Sequence, residues 1–147
     1  DGPFEIAEPA TLAEPVLPLE QAEGVVLLVE DEAPVRAFAA RALKMRGYTV
    51  LEADSAETAL EMLEDTALSV DLFVTDVIMP GKDGPTWVRE ALQSRPGSRV
   101  VFVSGYAEET FGEDQKRIPN SVFLPKPFSL TELTRTVDVQ MRGAQPH

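Results

Sequence analysis

The chain of 147 residues contains no cysteine and a single histidine, His147, at its last position. Without thiols there is neither a disulfide framework nor a thiolate nucleophile, and one terminal imidazole does not build a Cys/His zinc centre. Any metal held here takes oxygen ligands. Basic residues are scarce as well: 13 Lys and Arg stand against 25 Asp and Glu, for a net charge of −12. Nucleic-acid binding draws its affinity from clustered Lys and Arg, so this balance argues against a nucleic-acid ligand and for cations or basic proteins. Long apolar runs are missing too. Val25 to Val29 is among the longest, far below the roughly 18 residues that span a bilayer, and no basic segment precedes an apolar one as in a signal peptide. The expectation is a cytoplasmic domain without direct membrane contact.

What remains is the composition of an ordinary globular domain, 44% apolar and 26% charged, with a length suited to one domain. The first residue is Asp1 rather than methionine, which suggests a segment of a longer protein. Residues 1–24 stand apart: they hold Pro3, Pro9, Pro15 and Pro18, six acids and no base. Prolines at that spacing interrupt helix and strand, and like charges repel, so the segment reads as an acidic, proline-rich linker. An ordered arm packed through Phe4, Ile6 or Leu17 is the alternative. Residues 25–142 read as the folded domain and 143–147 as a tail.

From Val25 onward, short apolar runs alternate with helical periodicity. Val25–Val29, Tyr48–Ala53, Leu72–Thr75, Val100–Val103 and Ser121–Leu124 are strand-like, and uniformly apolar runs suit parallel strands covered on both faces. Between them lie helical stripes. The first holds Val35, Phe38, Ala39, Ala42 and Leu43, with Pro34 at its start and Gly47 at its stop. The second holds Ala56, Ala59, Leu60 and Leu63 behind a cap at Asp54 or Ser55, and the third Trp87, Val88, Ala91 and Leu92. A short polar helix is predicted over Ala107–Lys116. Ser129-Leu-Thr-Glu132 has the form of a capping box before a last helix with Leu130, Leu133, Val137 and Met141 inward. Five strands alternating with five helices predict an α/β fold with a doubly wound parallel sheet.

In such a sheet, ligands sit beyond the carboxyl ends of the strands. Strand one runs into Glu30-Asp31-Glu32, strand three into Asp76, strand four into Ser104-Gly105 and strand five into Lys126-Pro127. Neighbouring strands lie about 4.8 Å apart, so adjacency of strands one and three would bring Asp31 and Asp76 together. Two like charges 4 Å apart repel by about 4 kcal/mol at an effective dielectric of 20. Either a carboxyl is protonated or a cation sits among them, and Mg²⁺ suits a site with few protein oxygens. Glu32 reads as acidic decoration of a helix N-terminus. Lys126, after an apolar strand, points toward the acids and would neutralise an anion bound beside the metal. Trp87 and Met79 read as packing residues.

Four motifs in order, Val26-Leu-Leu-Val-Glu-Asp-Glu32, Val74-Thr-Asp-Val-Ile-Met-Pro80 with Asp83-Gly84, Val103-Ser-Gly105 and Leu124-Pro-Lys-Pro-Phe128, resemble the receiver domain of response regulators. Asp83-Gly-Pro-Thr-Trp-Val-Arg-Glu90 and Phe102-Val-Ser-Gly-Tyr-Ala-Glu108 further resemble the C-terminal receiver of hybrid histidine kinases of the cell-cycle CckA type. The resemblance implies a flavodoxin-like (βα)5 fold with strand order 2-1-3-4-5. It makes Asp76 the phosphoacceptor, Glu30, Asp31, Asp76 and the Ile78 carbonyl the Mg²⁺ ligands, and Ser104 and Lys126 the partners of the phosphoryl group. Lys126-Pro127 is expected to be cis.

Ser104 and Phe123 match the switch positions. Here Ser replaces the commoner Thr and Phe the commoner Tyr, so an inward-turned ring has no hydroxyl to bond. Ile78 and Tyr106, two residues beyond Asp76 and Ser104, would set the lifetime of the phosphoryl group. The implied function is Mg²⁺-dependent transfer from a kinase phosphohistidine onto Asp76, exchanged with a histidine phosphotransferase. The implied donor is the histidine kinase core of the same parent chain, a protein that would carry any inner-membrane anchor. Partner specificity is expected on the first helix, Val35 to Arg46, and adjoining loops. A pseudo-receiver used only for interaction is the alternative. A haloacid-dehalogenase-type phosphatase would want an aspartate where Ile78 stands. No DNA-binding output is expected, and because no glycine-rich phosphate loop occurs in the sequence, ATP binding is not expected either.

Overall fold

The computed structural model describes residues 22–105 and 118–143. The predicted Ala107–Lys116 helix, Tyr106, residues 1–21 and the last four residues lie outside them. Five strands, β1 (Val25–Val29), β2 (Thr49–Ala53), β3 (Leu72–Asp76), β4 (Arg99–Ser104) and β5 (Ser121–Pro125), form one sheet. All neighbours are parallel, in the order β2-β1-β3-β4-β5. Four helices are described: α1 (Ala33–Arg46), α2 (Ala56–Leu63), α3 (Gly84–Ser94) and α4 (Leu130–Gly143).

Strand side chains alternate between the two faces, and each face has its own core. Leu27, Val29, Phe73, Val100 and Phe102 pack with Ala56, Ala59, Trp87 and Val88 of α2 and α3. Val26, Leu28, Leu72, Val74, Val101 and Val103 pack with Ala39, Leu43, Leu133 and Val137 of α1 and α4. Sheets covered on both sides explain why the strands read as continuous apolar runs.

The helix ends follow their local chemistry. Ser55 caps α2 by accepting from the Thr58 amide at 3.0 Å. Asp83 does the same for α3 from Thr86 at 2.9 Å. Gly47 ends α1 in the left-handed region, φ 119°, which costs a glycine no Cβ clash. Ser129 and Glu132 form the reciprocal box ahead of α4, at 3.0 and 2.8 Å. Two stripe residues depart from expectation. Leu130 is 44% exposed, because it shares the exposed capping turn with Ser129 and Glu132 and the inward stripe begins at Leu133. Phe38 is also 44% exposed. It leans on Phe128, ring centroids 6.2 Å apart, instead of entering the core. At the other end of the sheet, the Ala22 amide donates to the Arg46 carbonyl at 3.2 Å, so the chain is already tied to the domain before β1.

Candidate functional site

The carboxyl ends of β1 and β3 sit side by side, with Val29 opposite Thr75, so the residues that follow face one crevice. Carboxylate oxygens of Glu30, Asp31 and Asp76 lie within 4.8 Å of one another. Glu30 and Asp76 are buried and Asp31 is exposed. Lys126, one residue beyond β5, reaches across: its Nζ donates to Asp76 Oδ2 and to Glu30 Oε1, both at 3.0 Å. Its backbone N–H donates to the Ser104 carbonyl at 2.8 Å, which ties the lysine to the end of β4. Ser104 itself is buried beside it. The Lys126-Pro127 peptide is cis.

Charge in this crevice is unevenly held. Burial pushes the Glu30 carboxyl up to about 7; the Asp76 charge adds to this, and the Glu32 amide and the Lys126 ammonium oppose it. For Lys126, burial disfavours the ammonium, but the hydrogen bonds to Asp76 and Glu30 outweigh it and hold the group above its ordinary value. One cation therefore serves two carboxylates while a third stands open to solvent. An all-oxygen set of this kind suits a hard divalent ion that keeps several waters.

Glu30, Asp31, Asp76, Ser104 and Lys126 are thus brought to one end of the sheet. Phe123 lies on β5, half-buried against the α2/α3 core. Ile78 is 47% exposed beside the crevice, between buried Val77 and Met79. Glu32 is exposed and its side chain makes no cap to α1. The Val77 amide is spent on the Val103 carbonyl at 3.0 Å, so it is not a spare donor at this site. Trp87 packs as expected, but its indole also donates to Thr75 at 3.0 Å. Two further features escaped the sequence: the close seat of Gly84 against Asp76, and an apolar groove of about 520 Å³ lined by Pro34, Val35, Phe38, Lys126, Pro127 and Phe128.

Residues 26–138 match the family model of the response regulator receiver domain. The chain belongs to that family. Among curated relatives, the receiver is 50% identical over 114 residues to the sensor kinase CckA of Brucella abortus (strain 2308), covering 78% of this chain and 12% of that protein. The response regulator receiver protein CpdR of the same organism is 31% identical over 119 residues, 81% of this chain and 98% of the relative. Among solved structures, the receiver domain of a hybrid histidine kinase CckA superposes with a TM-score of 0.69 at 42% identity, covering 80% of this chain and 99% of that one. The flavodoxin-like order 2-1-3-4-5 agrees with this membership. No helix among the described residues is long and apolar enough to cross a membrane.

Proposed function

We propose that this receiver takes a phosphoryl group onto Asp76 from a phosphohistidine, as one step of a two-component phosphorelay. The observation that carries the reading is the convergence of three carboxylates within 4.8 Å with the Lys126 ammonium 3.0 Å from Asp76. Phosphoryl transfer asks for positioning and charge neutralisation rather than elaborate acid and base groups. A carboxylate oxygen of Asp76 attacks phosphorus in line; the P–N bond breaks, and the leaving imidazole keeps the electron pair and takes a proton from solvent. Lys126 offsets charge on the transferred oxygens, and the Ser104 hydroxyl supplies a hydrogen bond. Glu30, Asp31, Asp76 and the Ile78 carbonyl would hold Mg²⁺, which supplies further neutralisation of the phosphoryl oxygens. Ser104 and Phe123 are the residues through which phosphorylation would be read out. Ile78 and Tyr106 would shield the product from water.

The likeness to CckA supports a histidine kinase core of the same parent chain as donor and a histidine phosphotransferase as the other partner, in cell-cycle signalling. The groove beside Phe38 and Phe128 opens next to Lys126. It therefore supports α1 and its adjoining loops as the face that a histidine-bearing partner approaches. Residues 25–142 are the receiver unit and residues 1–24 the linker in this reading.

Intact-mass analysis after incubation with acetyl phosphate, with and without Mg²⁺, tests the proposal on wild type and Asp76→Asn in parallel. One phosphoryl group gained only by wild type and only with metal is the expected result. No gain under any condition would favour a pseudo-receiver, and a gain that persists in Asp76→Asn would move the nucleophile elsewhere.

A further inference from the structure

We infer that Trp87 and Thr75 form a directed pair of hydrogen bonds that fixes the peptide following Asp76, making both of them positioning residues for phosphoryl uptake. The inference rests on Asp76 being the phosphoacceptor. The Trp87 indole N–H donates to Thr75 Oγ1 at 3.0 Å, and Thr75 Oγ1 donates to the carbonyl oxygen of Asp76 at 2.9 Å. Indole nitrogen is a donor only, so the Thr75 hydroxyl must accept from it. The single hydroxyl proton is then committed to the Asp76 carbonyl. Thr75 and Trp87 are both fully buried, so water does not compete for either bond.

The same carbonyl is confined from a second direction. A Cβ built on Gly84 would stand 2.4 Å from the Asp76 oxygen and 3.1 Å from Val77 Cα, and the Gly84 amide donates to the Val77 carbonyl at 2.8 Å. The peptide between Asp76 and Val77 is therefore held between a buried hydroxyl and the first turn of α3. Trp87 is itself held by its ring contact with Phe73, centroids 5.0 Å apart and planes at 59°. The direction of the Asp76 side chain follows from this backbone, and in-line attack tolerates only small errors in the placement of the attacking oxygen.

Valine at position 75 would leave the buried Trp87 indole N–H and the Asp76 carbonyl without their partner, a cost of about 1 to 3 kcal/mol in stability that has to be separated from any effect on rate. A merely satisfied core hydroxyl would influence stability alone. A positioning hydroxyl influences the rate of uptake at equal stability, and this difference is measurable.

The test follows initial phosphoryl uptake from acetyl phosphate at saturating Mg²⁺ by intact mass, together with thermal unfolding and the half-saturating donor and Mg²⁺ concentrations. Thr75→Val should take up phosphate about five- to tenfold more slowly, the rate equivalent of roughly one hydrogen bond, with both half-saturating concentrations unchanged. Thr75→Ser, which keeps the hydroxyl, should stay within about twofold of wild type even where it loses stability. Trp87→Phe keeps the ring and removes the N–H, and it also serves if Thr75→Val folds poorly; it should slow uptake by a smaller factor. Because the bonds act in series, the double variant should be no slower than Thr75→Val alone. Leu133→Ala, in the opposite core layer, is the control that loses stability and keeps the wild-type rate. Thr75→Val matching Thr75→Ser in rate, or slowing only as the Leu133 control does, overturns the inference while leaving Asp76 as the acceptor. A wild type that takes up no phosphate overturns both.

Discussion

Lys126 places its ammonium 3.0 Å from Asp76 Oδ2, and that short contact stands where a metal ion and a phosphoryl group would both need to be accommodated. This lysine is the charge that holds Glu30 and Asp76 together. It opposes a second cation and favours an incoming anion. Lys126→Gln should therefore bind Mg²⁺ several-fold more tightly, by the Coulomb repulsion it removes, and take up phosphate roughly 10²-fold more slowly, as when an oxyanion-stabilising donor is lost. Calorimetric Mg²⁺ titration beside the uptake assay checks both. Weaker Mg²⁺ binding in the variant would mean that the lysine helps to hold the metal cluster instead of competing with it.

Glu30 gives the receiver a definite pH dependence, read in the presence of chelator. Burial first, and then the Asp76 charge, raise its carboxyl from 4.5 to about 7. Between those values the folded protein keeps a proton that the unfolded chain has released. Stability contributed by this group is therefore lost as pH rises through the window. Above about pH 7 the group costs on the order of 1 to 3 kcal/mol. Urea unfolding at pH 5 and pH 8, in the presence of chelator, should show wild type losing that amount relative to Glu30→Gln. Excess Mg²⁺ should reverse the loss in wild type only. Parallel pH profiles for the two proteins would contradict the assignment.

The parts of this site that announce themselves in the sequence are those that depend on local pattern. Val-Glu-Asp and Val-Thr-Asp at the ends of apolar runs placed Glu30, Asp31 and Asp76 at strand ends, and the apolar runs themselves placed the strands in a two-sided sheet. The strand order came from the family resemblance, because period-2 and period-3.6 patterns carry no information about which strands are neighbours. Phe38 shows the same limit: its spacing puts it on the α1 stripe, yet it leans on Phe128, 90 residues away. Thr75 and Gly84 were invisible for a related reason. Their roles consist in what they touch, and both touch the Asp76 carbonyl.

Gly84 offers the sharpest steric test. Any side chain there drives a Cβ against backbone, 2.4 Å from the Asp76 oxygen, and backbone at the end of a central strand has little room to yield. Gly84→Ala should destabilise by about 1 to 3 kcal/mol, the usual cost of overpacking. That corresponds to a fall in Tm of roughly 4 to 12 °C for a domain of this size. Gly97→Ala, where a Cβ meets nothing within 4 Å, is the matched control and should change Tm little. Equal unfolding temperatures for the two variants would show that α3 can back away from β3 at low cost.

Ile78 bears on how long a phosphoryl group would last. It follows Asp76 by two residues and is 47% exposed, while Val77 and Met79 on either side are 2% and 6% exposed. Its side chain is therefore no part of the core, and replacing it should leave stability within about 0.5 kcal/mol. What it does instead is present an apolar surface beside the crevice, where an asparagine could bind and orient water. Ile78→Asn combined with Tyr106→Glu should shorten the lifetime of the acyl phosphate about tenfold, equivalent to lowering the hydrolytic barrier by roughly 1.4 kcal/mol. Following the decay of the phosphorylated mass after removal of donor, in the single and double variants, separates the two contributions. Wild-type decay in the double variant would mean that water reaches phosphorus by a route that these side chains do not guard, and that lifetime is set by Lys126, Ser104 and the metal ligands themselves.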